Sequence, residues 1–273
     1  MAVRAAVSFK YLTDLEYGEA FRKFGNIRKA IAELVHSLTK GSADSILDIP
    51  AGHGYLTAEF AHLFPSSKFI ALGLRNDLAS YVALRESESF PLKIWTHVSY
   101  IASDALMIPF CNGAFDLVIN FLGLEDIQMT RGIAGVQVAL SEMARVLDEK
   151  GLLQISLVEY GDLPEEKIAK DVWAATGLNP IFETKDWYQQ EIESLGLHLF
   201  KEKQFIFPKK MTPAQAKEEI EFACNVAPSV FSEFGVSAAS FDDLWSKFED
   251  RIEAHGMAYW SRIRVMLFKH HDD

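Results

Sequence analysis

The chain has 273 residues, and 27 Lys and Arg against 38 Asp and Glu leave a formal net charge of −11. Apolar residues make up 49% and charged residues 24%, the composition of one large globular α/β domain with additions rather than of a disordered or fibrous chain. Nucleic acid is excluded as a first expectation, because phosphate tracking needs Lys and Arg in excess, and the local basic pairs are limited to Lys201/Lys203 and Lys209/Lys210.

Short β-rich apolar runs alternate with longer segments of helical period, the pattern of βαβ units around a mostly parallel sheet. Phe24, Ile27, Ile31, Leu34 and Leu38 predict an amphipathic helix that Gly41 stops, ahead of a first strand at Ser45–Pro50. Further strands are predicted at Lys68–Leu74, His97–Ala102, Phe115–Phe121 and Leu152–Val158. A helix is predicted at Tyr55–Phe64, and Val136, Leu140, Met143 and Leu147 mark another before the fifth strand. Beyond Val158 one long helical stretch, Glu165 to Leu195, leads into a strand at Leu197–Phe207. A final strand is predicted at Tyr259–Lys269. Between these two strands, Thr212-Pro213-Ala214-Gln215 forms a capping box with Pro at the first helical position, and Ser240-Phe241-Asp242-Asp243 opens a helix that Gly256 ends.

Cys111 and Cys224 form neither a disulfide framework nor a metal-ligand spacing, and read as small buried hydrophobes in a reducing compartment. No metal is expected. The N-terminus lacks the apolar core of a signal peptide, and no apolar run approaches the ~18 residues of a spanning helix. A cytoplasmic protein with no membrane partner is the expectation.

The turn Asp48-Ile49-Pro50-Ala51-Gly52-His53-Gly54 lies between the first strand and the next helix, where glycines let the backbone approach a ligand. A dinucleotide fingerprint would place its third glycine at Thr57 and an acid where the second strand ends in Arg75, and a P-loop would need Gly-Lys-Ser/Thr. Both readings fail. The turn resembles the first motif of the class I S-adenosylmethionine-dependent methyltransferases, with Pro50 at the first glycine position. Ser103-Asp104-Ala105 after the third strand, Ile108-Pro109-Phe110 through Phe115-Asp116-Leu117-Val118, and Glu142-Met143-Ala144-Arg145-Val146-Leu147 through Gly151 resemble three later stretches of that family, in order.

The resemblance implies a Rossmann-like, seven-stranded, mostly parallel sheet with an antiparallel last strand and a helical lid between strands 6 and 7. The expected division is N-terminal lid helices over 1–44, a cofactor-binding domain over 45–207 and 257–273, and a substrate cap over 208–256. S-adenosylmethionine is the implied cofactor, held by Asp48, Pro50, Ala51, Gly52, His53, Gly54, Leu74, Arg75, Asp77, Asp104, Ala105 and Asn120. A carboxylate suits a ligand carrying an ammonium and a sulfonium. Arg75 departs from the family, which places at that position an acid that accepts from the ribose hydroxyls; a guanidinium has no acceptor. Asp77 or backbone carbonyls take over the ribose, or the cofactor is a carboxylated analogue clamped by Arg75, or the site is degraded and the protein is a non-catalytic binding or regulatory subunit.

Methyl transfer is an in-line displacement that needs positioning, desolvation and a base when the nucleophile carries a proton. Glu125 and Asp126 after the fourth strand, and Glu159 and Tyr160 after the fifth, are candidates to supply that base or to orient the acceptor. Leu244, Phe248, Ile252 and His255 share one helical face, so His255 is a further candidate beside a core-packing role. Phe222, Phe231, Phe234, Phe241, Trp245 and Phe248 make an aromatic cap that favours a small apolar or aromatic acceptor and makes a homodimer conceivable. A protein or RNA methyltransferase is the less favoured alternative.

Overall fold

The computed structural model describes residues 14–178, 183–206, 210–258 and 261–271, with backbone alone for residues 14–26 and Val230. Residues 1–13 of the expected N-terminal lid, 179–182 of the expected long helix, Phe207 at the end of the expected sixth strand, Pro208 and Lys209 of the expected cap, and Tyr259 and Trp260 of the expected last strand lie outside the described residues. Helix α1 (Asp14–Thr39) precedes β1 (Ser45–Asp48), α2 (Tyr55–Leu63), β2 (Lys68–Gly73), α3 (Leu78–Glu86), β3 (Val98–Ala102) and β4 (Phe115–Ile119). There follow α4 (Gly123–Val146), β5 (Leu147–Glu159), α5 (Pro164–Ala175), α6 (Lys185–Ser194) and β6 (Leu197–Ile206). Helices α7 (Pro213–Asn225), α8 (Ala227–Val230) and α9 (Phe241–His255) stand between β6 and β7 (Arg262–His270).

The seven strands are ordered β3-β2-β1-β4-β5-β7-β6. Strands β1 to β5 are parallel to one another, whereas β7 runs antiparallel to both β5 and β6. The order reverses between β1 and β4, which opens a crevice beyond the carboxyl ends of those strands. One sheet face is covered by α1 and α2 through Ile27, Ile31, Val35, Phe60 and Phe64. The other is covered by α4 and α6 through Val136, Leu140, Met143, Tyr188 and Ile192. Burial on both faces explains why Ile46-Leu47 and Leu117-Val118-Ile119 show no polar alternation.

Three sequence expectations are corrected. The stretch expected as one helix from Glu165 to Leu195 is two, because Gly177 turns left-handed at φ 77° and Thr184 starts α6 by accepting from the Trp187 N–H. Cys111 is exposed rather than buried, since it sits in a loop leading to β4; Cys224 is buried. Helix α9 buries Leu244, Phe248 and Ile252, but His255, its last residue before Gly256 at φ 72°, is exposed instead of sharing that face.

The motifs at Ile108–Phe110 and Glu142–Arg145 prove to be one joint. Arg145 donates to the Ile108 and Phe110 carbonyls at 2.9 and 2.8 Å and to Glu142, which in turn accepts from the Ile108 N–H at 2.8 Å. The hydrogen bond from Arg145 holds the Glu142 carboxyl below its usual range. These residues fasten α4 to the loop entering β4 and touch no cavity lining, so this part of the family resemblance reports the fold.

Candidate functional site

A cavity of about 310 Å³ opens at the β1/β4 crevice. Its floor is the turn after β1. Asp48 is buried and accepts from the Thr57 hydroxyl at 2.5 Å. Burial raises its carboxyl to about 7, opposed by hydrogen bonds from the Thr57 hydroxyl and backbone. Thr57 therefore stands where a dinucleotide fingerprint needs glycine because its hydroxyl satisfies Asp48. The Ala51 N–H donates to the Leu72 carbonyl at 2.7 Å and the Ile49 N–H to the Ile119 carbonyl at 2.9 Å, tying the turn to both neighbouring strands.

Two glycines act differently here. Gly52, at φ 49°, has no atom within 4 Å of where a Cβ would stand, so its backbone borders open space in the cavity. Gly54, at φ 86°, begins α2, and a Cβ there would lie 2.7 Å from the Tyr81 ring. Gly54→Ala is expected to destabilise the fold by about 1–3 kcal/mol, from left-handed backbone and overpacking together. An unchanged urea midpoint would show that Tyr81 moves aside. Pro50, at the first glycine position of the motif, packs against Gly123 at the start of α4, where any Cβ would overlap the proline ring. The close approach that the family obtains with a glycine in the turn is obtained here with a glycine across it.

Asn120 does not line the cavity. It is fully buried, donates through Nδ2 to the Ile49 carbonyl at 2.7 Å, and shares a backbone and side-chain exchange with Gln154. Its role is to hold the turn, as is that of Gly54, which also lies off the lining.

The end of β2 settles where Arg75 sits. Arg75 is exposed and off the cavity lining, in a short turn spanning Arg75–Asp77. Asp77 lines the cavity, and its Oδ2 accepts from the Leu74 N–H at 3.1 Å. Burial raises the Asp77 carboxyl, opposed by that N–H. Tyr100 donates to the Leu74 carbonyl at 2.7 Å and braces the same turn. An acid is thus present at this strand end, two residues later than the family pattern places it. Beyond β3, Asp104 and Ala105 also line the cavity, with Asp104 accepting from the Leu106 N–H at 3.0 Å and pairing with Arg131 at 2.5 Å. Arg131 lies 4.6 Å from the centre of the Phe234 ring. His53, Leu74, Pro50 and Ala51 complete the predicted residues found on the lining.

Glu125, on the first turn of α4, faces the same cavity. Its Oε1 accepts from the Val158 N–H at 3.3 Å, and its Oε2 has no hydrogen-bond partner among the described residues. Burial pushes the carboxyl up to about 8. Asp126 lines the cavity from an exposed position. Tyr160 lines a separate cavity, although its ionisation is disfavoured first by burial and then by the charge of Glu125. His255 lines neither.

Sequence reasoning missed Arg28. It is buried on α1, lines the cavity, and lies 4.6 Å from the Tyr55 ring centre and 6.0 Å from that of Phe121. Its signal was there: Arg28 falls one turn after Phe24 and beside Ile27 on the apolar face of the predicted helix. From the segment between β6 and β7, Phe231 and Phe234 reach the lining. Five carboxylates on the described lining, at residues 48, 77, 104, 125 and 126, stand against two guanidiniums, Arg28 and Arg131. Burial raises the carboxyls of Asp48, Asp77, Glu125 and Asp126, so a cationic ligand suits this surface by favouring their ionised forms, and the guanidiniums suit one anionic group.

This sheet order, with a glycine turn after β1 and acids beyond β2 and β3 around one crevice, defines a Rossmann-like methyltransferase fold. Residues 47–155 match the family described as Methyltransferase domain. Among curated proteins, it is 28% identical over 160 residues to the ubiquinone/menaquinone biosynthesis C-methyltransferase UbiE of Shewanella sp. (strain W3-18-1), covering 56% of this chain and 59% of the relative. The UbiE of Shewanella sp. (strain ANA-3) is 30% identical over 159 residues, with the same coverage. The chain thus spans 59% of the length of these relatives. Among solved structures, the [4+2]-cyclase SpnF has a TM-score of 0.58 at 13% identity, covering 89% of this chain and 81% of that one. The Burkholderia thailandensis 1,6-didemethyltoxoflavin-N1-methyltransferase, solved with S-adenosylhomocysteine, has a TM-score of 0.54 at 12% identity, covering 100% and 94%. These two likenesses establish the fold. No helix among the described residues is long and apolar enough to cross a membrane.

Proposed function

We propose that the protein transfers a methyl group from S-adenosylmethionine to a small, apolar or aromatic organic acceptor by in-line displacement. The observation that carries this reading is the convergence of the Asp48–Gly54 turn, Asp77, Asp104 and Arg28 on one cavity of about 310 Å³. In the fit to the cofactor, Asp77 accepts from the ribose hydroxyls, Asp104 takes the adenine amino group, and Arg28 receives the methionine carboxylate. Gly52 leaves room beside the methionine chain. When bound, the cofactor supplies an activated methyl on a sulfonium, so the protein's work is to position the acceptor and exclude water.

The UbiE relatives are named as C-methyltransferases of quinone biosynthesis and the toxoflavin enzyme as an N-methyltransferase, both acting on small molecules. That agrees with an acceptor of the same scale. Glu125 is the group suited to take a proton from the acceptor or to orient it, since it faces the cavity with one oxygen that has no hydrogen-bond partner among the described residues. In this reading the segment from α7 to α9 caps the cavity, supported by Phe231 and Phe234 on the lining, and α1 closes the other side through Arg28. The remaining aromatics of the cap do another job. Trp245 and Phe248 pack with Ile168, Val172 and Trp173 of α5 in a separate apolar cluster.

Calorimetric titration with S-adenosylmethionine and S-adenosylhomocysteine tests the donor. A dissociation constant in the micromolar range is expected, that is about −7 to −8 kcal/mol. No heat from either ligand at high micromolar concentration overturns the reading. Arg28→Gln is expected to weaken both ligands by roughly tenfold, as loss of one charge-assisted contact.

A further inference from the structure

A second cavity, of about 660 Å³, lies between the carboxyl end of β5, the strands β6 and β7, and helices α5 and α6. It meets the first at one residue: Val158 lines both. Next to it, Tyr160 lines the second cavity while sensing the charge of Glu125 in the first. The two spaces are therefore adjacent at the carboxyl end of β5, with Val158 between them and Tyr160 beside it. Their volumes lie within the usual range of small-molecule sites, about 300–1,000 Å³.

The chemistry of the second space differs from that of the first. Its apolar surface comes from Leu157, Val158, Trp173 and Tyr160. Its polar wall carries the acids Glu159, Glu183 and Asp186 and the cations Lys170, Lys185, Arg262 and Arg264. Glu159 accepts from Arg264 on both oxygens, at 3.1 Å each, and from Gln204. Glu166, behind the wall, accepts from Ser261 at 2.8 Å, from Arg262 at 2.6 and 3.2 Å, and from the Leu163 N–H. The guanidiniums are not used up in the same way. Each has five N–H donors, and these ion pairs draw on Nε and Nη2 of Arg262 and on Nε and Nη1 of Arg264. Lys170 adds an ammonium at an exposed edge of the lining, Lys185 is paired with Glu202 at 3.0 Å, and Glu183 and Asp186 line the same space on the α6 side. Among the described residues the wall has donors to spare on Arg262, Arg264 and Lys170, so it suits a ligand rich in acceptors.

We propose that this second cavity holds the acceptor and selects a planar aromatic anion, its ring against Trp173 and Tyr160 and its acidic group on Arg262, Arg264 and Lys170. Naming the occupant as the acceptor rests on the methyl-transfer reading; the existence of the site does not. An acceptor seated there extends its reactive end past Val158 and Tyr160 toward Glu125. The arrangement separates the two partners by charge, the cationic donor in the acid-lined cavity and the anionic acceptor in the donor-rich one.

Two substitutions on exposed parts of the lining test this without touching the first cavity: Ala174→Trp, which fills the space, and Lys170→Glu, which reverses a charge. The probes are 2-naphthoate and its cationic counterpart naphthalen-2-ylmethylammonium, each titrated calorimetrically to 2 mM, with S-adenosylhomocysteine as the reference ligand and circular dichroism to confirm folding. Expected are binding of 2-naphthoate to the wild type, roughly tenfold weaker binding in Ala174→Trp and about threefold weaker in Lys170→Glu, with the reference ligand unchanged in both. No heat from 2-naphthoate, equal binding of the cation, or indifference to Ala174→Trp would each overturn the proposal. If 2-naphthoate behaves as expected and S-adenosylhomocysteine is silent even with the wild type, the second site stands and the methyl-transfer reading falls.

Discussion

Replacing Asp77 by alanine is expected to weaken S-adenosylhomocysteine binding by roughly a hundredfold, while Arg75→Ala leaves it within about twofold. The contrast follows from geometry. Asp77 lines the cavity with its Oδ2 accepting from the Leu74 N–H, so the carboxylate is held in place before any ligand arrives. Two charge-assisted hydrogen bonds to ribose hydroxyls, at about 1.5 kcal/mol or more each, account for the size of the loss. Arg75 is exposed and outside the lining, which removes it both as a ribose ligand and as a clamp for a carboxylated cofactor. Asp77→Asn separates ligand contact from local structure, because the amide oxygen still accepts from Leu74; its loss of affinity is expected to fall between the two. Equal affinities for the Asp77→Ala and wild-type proteins would remove Asp77 from the donor site.

Glu125→Gln carries the second large effect and is read in two ways. The Glu125 carboxyl is raised by burial from its ordinary 4.5 to about 8 in the folded protein. Below 4.5 both the folded and unfolded chains hold the proton, and the contribution of Glu125 to stability is at its most favourable. As pH rises from 4.5 to 8 the unfolded chain ionises first, so stability falls across that window, by up to about 5 kcal/mol from this group, and levels above it. Glutamine has no proton to lose. The variant is therefore expected to gain thermal stability over the wild type at pH 8 and to show little difference near pH 4. Equal melting temperatures of variant and wild type across the whole range would show that Glu125 is not held protonated. The second readout is turnover, followed with labelled methyl donor and a phenolic or aromatic-acid acceptor. Wild-type kcat/KM should rise with pH toward 8, since a base must be ionised, and the variant should lose at least about a hundredfold along with that limb. Affinity for S-adenosylhomocysteine should hold within about threefold in the same variant, because the proposed partner of Glu125 is the acceptor.

Much of the fold was legible because both kinds of signal were local. The apolar runs at residues 45–48, 68–73, 115–119 and 152–158 became strands since two helical layers cover the sheet, and such strands need no polar face. The capping residues Thr212 and Ser240 opened α7 and α9 as predicted, each accepting from the N–H three residues on. The failure between residues 165 and 195 was also local in origin. Helical periodicity continued through Gly177, and the left-handed turn there outweighed it. The tie between Glu142, Arg145 and the Ile108–Phe110 segment spans more than thirty residues, so the two motifs could be recognised separately but not seen as one joint.

The amino-acid sequence by itself determined the sheet, the place of the glycine turn and the family resemblance, because each depends on residue type at fixed spacing along the chain. Tertiary structure decided which side chains share a space. It turned Arg75 outward and Asp77 inward, set Gly123 against Pro50, brought Arg28 from α1 onto the cavity, and left His255 exposed at the end of its helix. It also set two of the catalytic candidates apart, with Glu125 lining one cavity and Tyr160 another that no sequence motif announced. The physical reason is the same throughout. Spacing specifies the face of an element, whereas a ligand site is made where several elements end, and the rotation of each end is set by packing against residues far away in the chain.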